Sequence, residues 1–327
     1  MCIRLFTALL VCLLFFPSLL QGWGFFAHRR INRLAVFSLP PEMLVFYKPQ
    51  LEFLSTHATD PDKRRYALAA EGPRHYIDID HYGSPPFDSL PRSWEAAVAR
   101  YTEDTLQQHG ILPWHIQRMM YRLTCAFREK DAGRILQLSA ELGHYLADAH
   151  VPLHASSNHN GQLSGQQGIH ALWESRIPEL IADKEFNYWN GRAMYISDVA
   201  MYSWELVISS AIAADTVLRL EKALSQRFPP AQRYAWEKRN GKLTRNYAAA
   251  YSLAYHRLMN NMVERRMRSA IIAVASCWYT AWVDAGQPPL QDLARKPFSP
   301  EQERQFKALN KAWRKGRLPG REHDDER

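Results

Sequence analysis

Two histidine–carboxylate pairs in the middle of the chain have the spacing of metal ligands. His144 and Asp148 are four residues apart, and so are His170 and Glu174, with His154 between the pairs. Side chains four positions apart lie on one face of a helix, so each pair can offer two ligands together. A single pair of this kind is usually a surface hydrogen bond, but two pairs and a further histidine favour a zinc centre.

The N-terminal residues predict export from the cell. Arg4 is followed by an apolar run over residues 5–20, the pattern of a secretory signal peptide. The run is marginal for a membrane span and Pro17 interrupts it, so a retained anchor is the less favoured alternative. We therefore expect residues 1–22 to be removed, leaving a periplasmic or secreted protein without a transmembrane segment.

Cleavage at that point would make Trp23 the first residue of the mature protein. A free α-amine has a pKa of about 7.7–8.0, so a metal can displace its proton near neutral pH. The amine and the carbonyl of Trp23 could then chelate together, with His28 close behind in the chain. The alternative is that both are ordinary packing residues.

Composition limits which partners and how many disulfides the protein can have. The formal net charge of +8, or +7 without the leader and its Arg4, suits an anionic partner such as a polynucleotide or a phospholipid surface. Beyond the leader only Cys125 and Cys277 remain, which allows one disulfide but no disulfide framework. No stable protein partner is implied.

Apolar residues recur three and four positions apart over much of the chain, which predicts an all-α fold. Strand signals are scarce: the one candidate is 75–80, and we identify no Asn-Gly hairpin between alternating runs. Prolines predict an irregular connection over 60–92, and glycines predict a loop over 154–169. The helical periodicity is clearest over 112–127, 135–153, 194–224 and 247–283.

These patterns divide the chain into three parts. Residues 1–22 form the leader, and 23–298 form one helical domain. Residues 299–327 have mixed charge and few large apolar side chains, which predicts a peripheral helix followed by a disordered tail.

Taken together, the candidate ligands resemble those of a known family. Their order, local spacing and predicted mature Trp resemble the ligand series of the zinc-dependent phospholipase C and S1/P1 nuclease superfamily. This resemblance implies a single-domain multi-helix bundle of that type with three zinc ions. The segments that carry it are Trp23, His28, Asp60-Pro-Asp-Lys-Arg, His75-Tyr-Ile-Asp78, His144-x3-Asp148, His154 and His170-x3-Glu174.

The resemblance implies how the ligands divide among the ions. Asp148 would bridge two of the sites, and the third would be built separately. Asp62 competes with Asp60, which is preferred because its distance to His75 fits the family better. The implied sets are Asp60, His75, His144 and Asp148; Trp23, His28 and Asp148; and His154, His170 and Glu174.

Residues near the ligands are candidates for substrate contact. Lys63 resembles the basic residue that binds the substrate phosphate in the nucleases. The alternative is that Lys63 is a solvated charge. Tyr76 could stack on a nucleobase or pack in the core, and Asp78 could meet substrate or orient a ligand histidine. Asn158 and Asn160 could line the cleft or serve as turn residues.

The resemblance implies an exported phosphodiesterase in which metal-activated water attacks phosphorus. Asp60, Lys63 and Asp148 would be its catalytic residues. The short interval from Trp23 to His28 favours an S1/P1-type nuclease acting on nucleic acid or nucleotides. Glu174 is instead typical of the phospholipase C branch, which leaves a phospholipid substrate as the alternative. A non-catalytic zinc-binding envelope protein is the alternative from another class.

Overall fold

Most of the residues described by the computed structural model, 24–239, 242–293 and 298–315, lie in helices. This confirms the all-α prediction. The leader, Trp23 and the predicted tail beyond 315 lie outside these residues. The helices are α1 (Gly24–Ala35), α2 (Pro41–Tyr47), α3 (Leu51–His57), α4 (Asp60–Arg65), α5 (Trp94–Tyr101), α6 (Glu103–His109), α7 (Leu112–Glu129), α8 (Ala132–Asp148), α9 (Ile177–Glu185), α10 (Val199–Arg227), α11 (Ala249–Leu258), α12 (Met262–Asp284) and α13 (Pro300–Lys315).

Helix α8 is the centre of the packing. Apart from Arg134 and Gln137, every residue of this helix is buried, as expected for a helix that is apolar or small on most of its circumference. Asp131 caps its first turn by accepting a hydrogen bond from the backbone N–H of Arg134 at 3.0 Å. Helices α1, α3, α7 and α12 pack around it, so His144 and Asp148 point into the protein interior.

Two of the helices predicted from apolar periodicity have different bounds in the structure. Met194 and Ile196 precede α10 in irregular backbone, and their N–H groups donate to Ser276 and Thr280 of α12. Asp198 then caps the start of α10. The stretch 247–283 divides into α11 and α12, because Asn260 and Asn261 adopt positive φ between them.

The structure contradicts the predicted strand at 75–80 and the expectation that there is no Asn-Gly hairpin. Residues 75–80 form no strand; they join 3-10 turns at Ala69–His75 and Ile79–Tyr82. The strands of the described chain are β1 (Tyr234–Arg239) and β2 (Lys242–Tyr247), an antiparallel pair. They flank Asn240-Gly241, the type of pair that favours a two-residue hairpin.

The C-terminal helix, the two cysteines and the lengths of the apolar helices can be compared with the sequence predictions. Helix α13 lies where a peripheral helix was predicted, and its Phe306 packs against Phe53 and His57. Cys125 and Cys277 are both free thiols, so the allowed disulfide is not formed. Among the described helices, none has an apolar stretch long enough to cross a bilayer.

Candidate metal centre

A close approach of α1 to α8 brings the first histidine to the centre. A Cβ atom on Gly143 would lie 2.0 Å from Asn32 Oδ1. The two helices can approach this closely only because residue 143 is a glycine. Asn32 also donates to the backbone carbonyl of Ala140 at 2.9 Å. His28 lies one turn before Asn32, and its ring therefore stacks on that of His144 with centroids 3.9 Å apart.

Four ligand-type atoms from three chain segments meet at one point, and one of them is an oxygen of Asp148. His75 Nδ1 lies 3.0 Å from both Asp148 Oδ2 and His144 Nε2. His144 Nε2 is 3.2 Å from Asp148 Oδ2. Asp62 Oδ1 lies 3.7 Å from His75 Nδ1 and 3.6 Å from His144 Nε2. A tetrahedral zinc ion with ligands at about 2.0–2.1 Å places them about 3.3–3.4 Å apart, so these separations suit one cation.

Asp148 also connects this group to its neighbours. Its other oxygen, Oδ1, lies 3.3 Å from His28 Nε2 and 4.0 Å from His154 Nδ1. The two oxygens of one carboxylate therefore face two different sets of histidines. This is the arrangement of a carboxylate that bridges two cations.

A third group lies on the other side of His154. Glu174 Oε2 is 3.2 Å from His154 Nε2 and 2.9 Å from His170 Nε2. Glu174 lies in a π-helical turn, Ala171–Arg176, that leads into α9. The predicted pair is therefore helical, but in the wider turn that is often found at functional sites.

Backbone carbonyls fix three of these histidine rings. The Nδ1 atoms of His144, His154 and His170 lie 2.9, 2.6 and 3.0 Å from the carbonyl oxygens of Ala58, His75 and His159, respectively. Each Nδ1 must carry the proton to donate such a bond, so in the neutral ring the lone pair of Nε2 is directed into the cluster. Metal-ligating histidines are typically oriented in this way.

The charges of the centre also favour cations. Three carboxylates lie among five imidazoles, and all of these groups are buried except the half-buried Asp62. Burial opposes ionisation of Asp148, yet His144 and His154 hold its pKa well below its usual range. Burial likewise disfavours charge on His144, but Asp148 and Asp62 raise its pKa to about 9. Without a metal, protons balance the carboxylates; with a metal, the ion takes that role.

The structure differs from the ligand assignment at Asp60. Asp62, not Asp60, lies with His75 and His144. Side chains two residues apart on a helix point about 200° apart, so α4 directs only one of the two carboxylates to the centre. Asp60 instead pairs with His57 at 2.5 Å and with Lys63 at 2.7 Å. Burial opposes its ionisation, but these two partners lower its pKa.

Lys63 is 4% exposed, so the alternative of a solvated charge does not hold. Its ammonium lies against Asp60 at the edge of the same helix. Contact between Lys63 and a substrate phosphate stays a prediction.

The other predicted substrate residues lie around the centre with structural partners. The Tyr76 hydroxyl donates to the carbonyl of Gln108 at 3.1 Å. Asp78 lies 3.5 Å from His109, whose ring stacks on His81.

The two loop asparagines hold the loop itself. Asn158 accepts from the N–H of Leu163 at 2.8 Å, and Asn160 accepts from the N–H of Gly168 at 2.9 Å. Asn160 also accepts from the N–H of His170 at 3.4 Å, so it helps to place a candidate ligand. These contacts match the turn role given above as the alternative, and their contact with substrate stays a prediction.

Sequence reasoning missed a buried network beneath His75. Glu71 is fully buried, and its carboxylate lies 3.7 Å from His75 Nε2, on the side away from the cluster. It accepts from Arg64 at 3.1 Å, from Arg74 at 2.6 Å and from the hydroxyl of Tyr145. Burial opposes its charge, but His75, Arg64 and Tyr145 lower the pKa of Glu71. Glu71 and His75 are four residues apart, the spacing used to identify the other pairs.

Comparison with known proteins leaves the family open. No protein-family model matches the chain, and a search of curated proteins found no match. The metal-binding capacity of this centre therefore rests on its own geometry.

Proposed function

We propose that this protein is a zinc-dependent hydrolase of phosphate esters, with three ions held at the clusters described above. The observation that carries the proposal is the position of Asp148, whose two oxygens face different sets of histidines. One set is His28 with Asp148, the next is Asp62, His75 and His144 with the other oxygen of Asp148, and the last is His154, His170 and Glu174. Under this proposal the fold is of the phospholipase C/P1 nuclease type and the protein is exported, so that the amine of Trp23 completes the first set.

Bound zinc would supply Lewis-acid chemistry, activating water near neutral pH and stabilising charge on the departing oxygen. The chain's part is to hold the ions close together and to fix the imidazole tautomers through backbone carbonyls. The carboxylates of Asp62, Asp148 and Glu174 neutralise part of the cationic charge. Asp148 and Asp62 are the catalytic carboxylates of this proposal, with Lys63 as a candidate phosphate contact.

The number of ligands favours a catalytic centre over a purely structural one. The last set offers three protein ligands, which leaves a tetrahedral ion one position for water or substrate. Structural zinc sites usually have four protein ligands and no such position. This comparison speaks against the non-catalytic envelope protein.

Nucleic acid is the preferred substrate, because the chain is basic, with a calculated isoelectric point near 9.3. Phospholipid remains the competing substrate through the family resemblance. The purified mature protein should be assayed on single-stranded DNA, RNA, 3′-mononucleotides and phosphatidylcholine, with its metal content measured in parallel. We expect hydrolysis of the nucleic acids that a chelator abolishes and zinc restores. Turnover that persists in a metal-free sample would contradict the proposal.

A matched pair of histidine variants sharpens the test. His144→Ala should lose bound zinc and all turnover. His256→Ala changes a buried histidine outside the three clusters, so it should keep its zinc content. Equal metal loss in both variants would indicate unfolding rather than loss of a ligand.

A further inference from the structure

The hairpin β1–β2 presents one face that combines aromatic and cationic side chains. Residues that pair directly across antiparallel strands lie on the same face of the sheet. The pairs Tyr234–Tyr247, Trp236–Arg245 and Lys238–Leu243 therefore share a face. Trp236 is 66% exposed and Leu243 is 67% exposed.

The side chains of this face become more exposed from the base of the hairpin towards its turn. The rings of Tyr234 and Tyr247 lie 4.8 Å apart at the base of the hairpin. The guanidinium of Arg245 lies 3.7 Å from the centroid of the Tyr234 ring. Arg245 in turn lies directly across from the exposed Trp236. The face thus has one guanidinium stacked on a tyrosine ring, with an exposed indole paired across from it.

The aromatic face of the hairpin carries a net positive charge. The described positions of the aromatic face carry Lys238 and Arg245 and no carboxylate. The acidic residue of the hairpin, Glu237, lies on the opposite face, where it accepts from Arg176 at 2.8 Å. The exposed face is therefore complementary to a polyanion.

The base of the hairpin is tied to the candidate metal centre. Arg176, two residues after Glu174, also donates to the carbonyl of Tyr247 at 2.9 Å. The hydroxyl of Tyr247 donates to the carbonyl of Gln167 at 3.3 Å, in the loop that leads to His170. The aromatic face thus extends outward from the segments that hold the last ligand set.

We propose that this face binds single-stranded nucleic acid, with a base stacked on Trp236 and with Arg245 and Lys238 at the phosphates. Every base has a π-face, and alternating aromatic and cationic groups are the usual platform for single strands. An anionic membrane surface would be attracted by the same charge, but it offers no partner for the stacked Arg245–Tyr234 pair. This inference deepens the proposed function by extending the substrate site beyond the metals, although the binding surface itself can be tested without hydrolysis.

The test is binding of a fluorescein-labelled single-stranded oligothymidine with phosphorothioate linkages, followed by fluorescence anisotropy. Loss of one base–aromatic stack corresponds to about a 5- to 150-fold rise in Kd for Trp236→Ala. Trp236→Phe should recover most of the affinity, and Arg245→Gln should reduce the dependence of Kd on salt. The matched control is Trp189→Ala, because Trp189 is 85% exposed but lies outside the hairpin. Thermal unfolding and zinc content of each variant should match the parent protein.

Unchanged affinity in Trp236→Ala, or an equal loss in Trp189→Ala, would overturn the inference. So would a result in which Trp236→Ala abolishes binding to phosphatidylglycerol vesicles and leaves oligonucleotide affinity intact. Hydrolysis of bis(p-nitrophenyl) phosphate by the same samples separates the two proposals. If that hydrolysis is absent while oligonucleotide binding depends on Trp236, the catalytic proposal fails and the binding surface stands.

Discussion

The Nδ1–H group of His154 donates a hydrogen bond to the backbone carbonyl of His75 at 2.6 Å. The N–H of Ile77 donates back to the carbonyl of His154 at 2.9 Å. These bonds join two ligand segments 79 residues apart and turn His154 Nε2 towards Glu174. The clusters are therefore connected, and a substitution at one candidate ligand should change the positions of the others.

The choice between the two carboxylates of α4 can be tested directly. Asp62→Asn should lose bound metal, because Asp62 lies with His75 and His144. Asp60→Asn should keep the metal but lower the free energy of unfolding by about 3–5 kcal/mol, because the change breaks a buried ion pair with Lys63. Metal analysis and urea unfolding of the two variants measure both effects. Metal loss confined to Asp60→Asn would restore the original assignment.

The network beneath His75 should contribute both stability and metal affinity. In Glu71→Gln, Arg64 and Arg74 lose a buried anionic partner. The free energy of unfolding should therefore fall by about 3–5 kcal/mol. Zinc affinity should fall about 10- to 100-fold, as for other groups that orient a ligand. Urea unfolding and competition with a zinc chelator provide the two readings. Glu129→Gln, which alters the exposed pair with Arg134, is the control and should change stability by less than about 1 kcal/mol.

His115 should make stability depend on pH. Among the described residues neither ring nitrogen has a hydrogen-bond partner, and burial, together with nearby Arg74, lowers its pKa to about 2. Its unfolded pKa is about 6.5, so below that pH the unfolded state binds one more proton than the folded state. The free energy of unfolding should therefore fall by up to about 1.4 kcal/mol per pH unit between pH 6.5 and 2.

His115→Phe removes this titrating group while it keeps a ring against Tyr145. Urea unfolding at several pH values should give a shallower decline for the variant than for the parent. Parallel curves for the two proteins would show that His115 does not contribute to acid sensitivity.

Gly110 should tolerate no side chain. Its φ is +89°, and a Cβ atom would lie 2.1 Å from the carbonyl oxygen of Tyr76. Gly110→Ala should therefore cost about 1–3 kcal/mol from backbone strain, with the clash in addition, and lower the melting temperature. A Cβ atom on Gly191 meets nothing within 4 Å, so Gly191→Ala serves as the control. Similar melting temperatures for both variants would contradict the packing of Tyr76 on this turn.

The sequence pattern predicted the structure correctly wherever the feature lay within a single helix. The periodicity of 112–127 predicted α7, and the His144–Asp148 spacing placed both side chains on one face of a single helix. The hairpin was also within reach of the sequence, because Asn240-Gly241 separates two runs that contain Tyr, Trp and Thr. Glu71 could have been found from its spacing to His75.

The sequence by itself determined a helical protein and the residue types of its candidate metal centre, because helical periodicity and ligand pairs four apart are properties of neighbouring residues. Only the tertiary structure decided which carboxylate of α4 faces His75, and that Asp148 lies between two sets of histidines. Those outcomes depend on the close approach of α1 to α8 at Gly143 and on the direction in which α4 projects Asp62. Such directions follow from the packing of segments far apart in the chain, which spacing along the sequence does not encode.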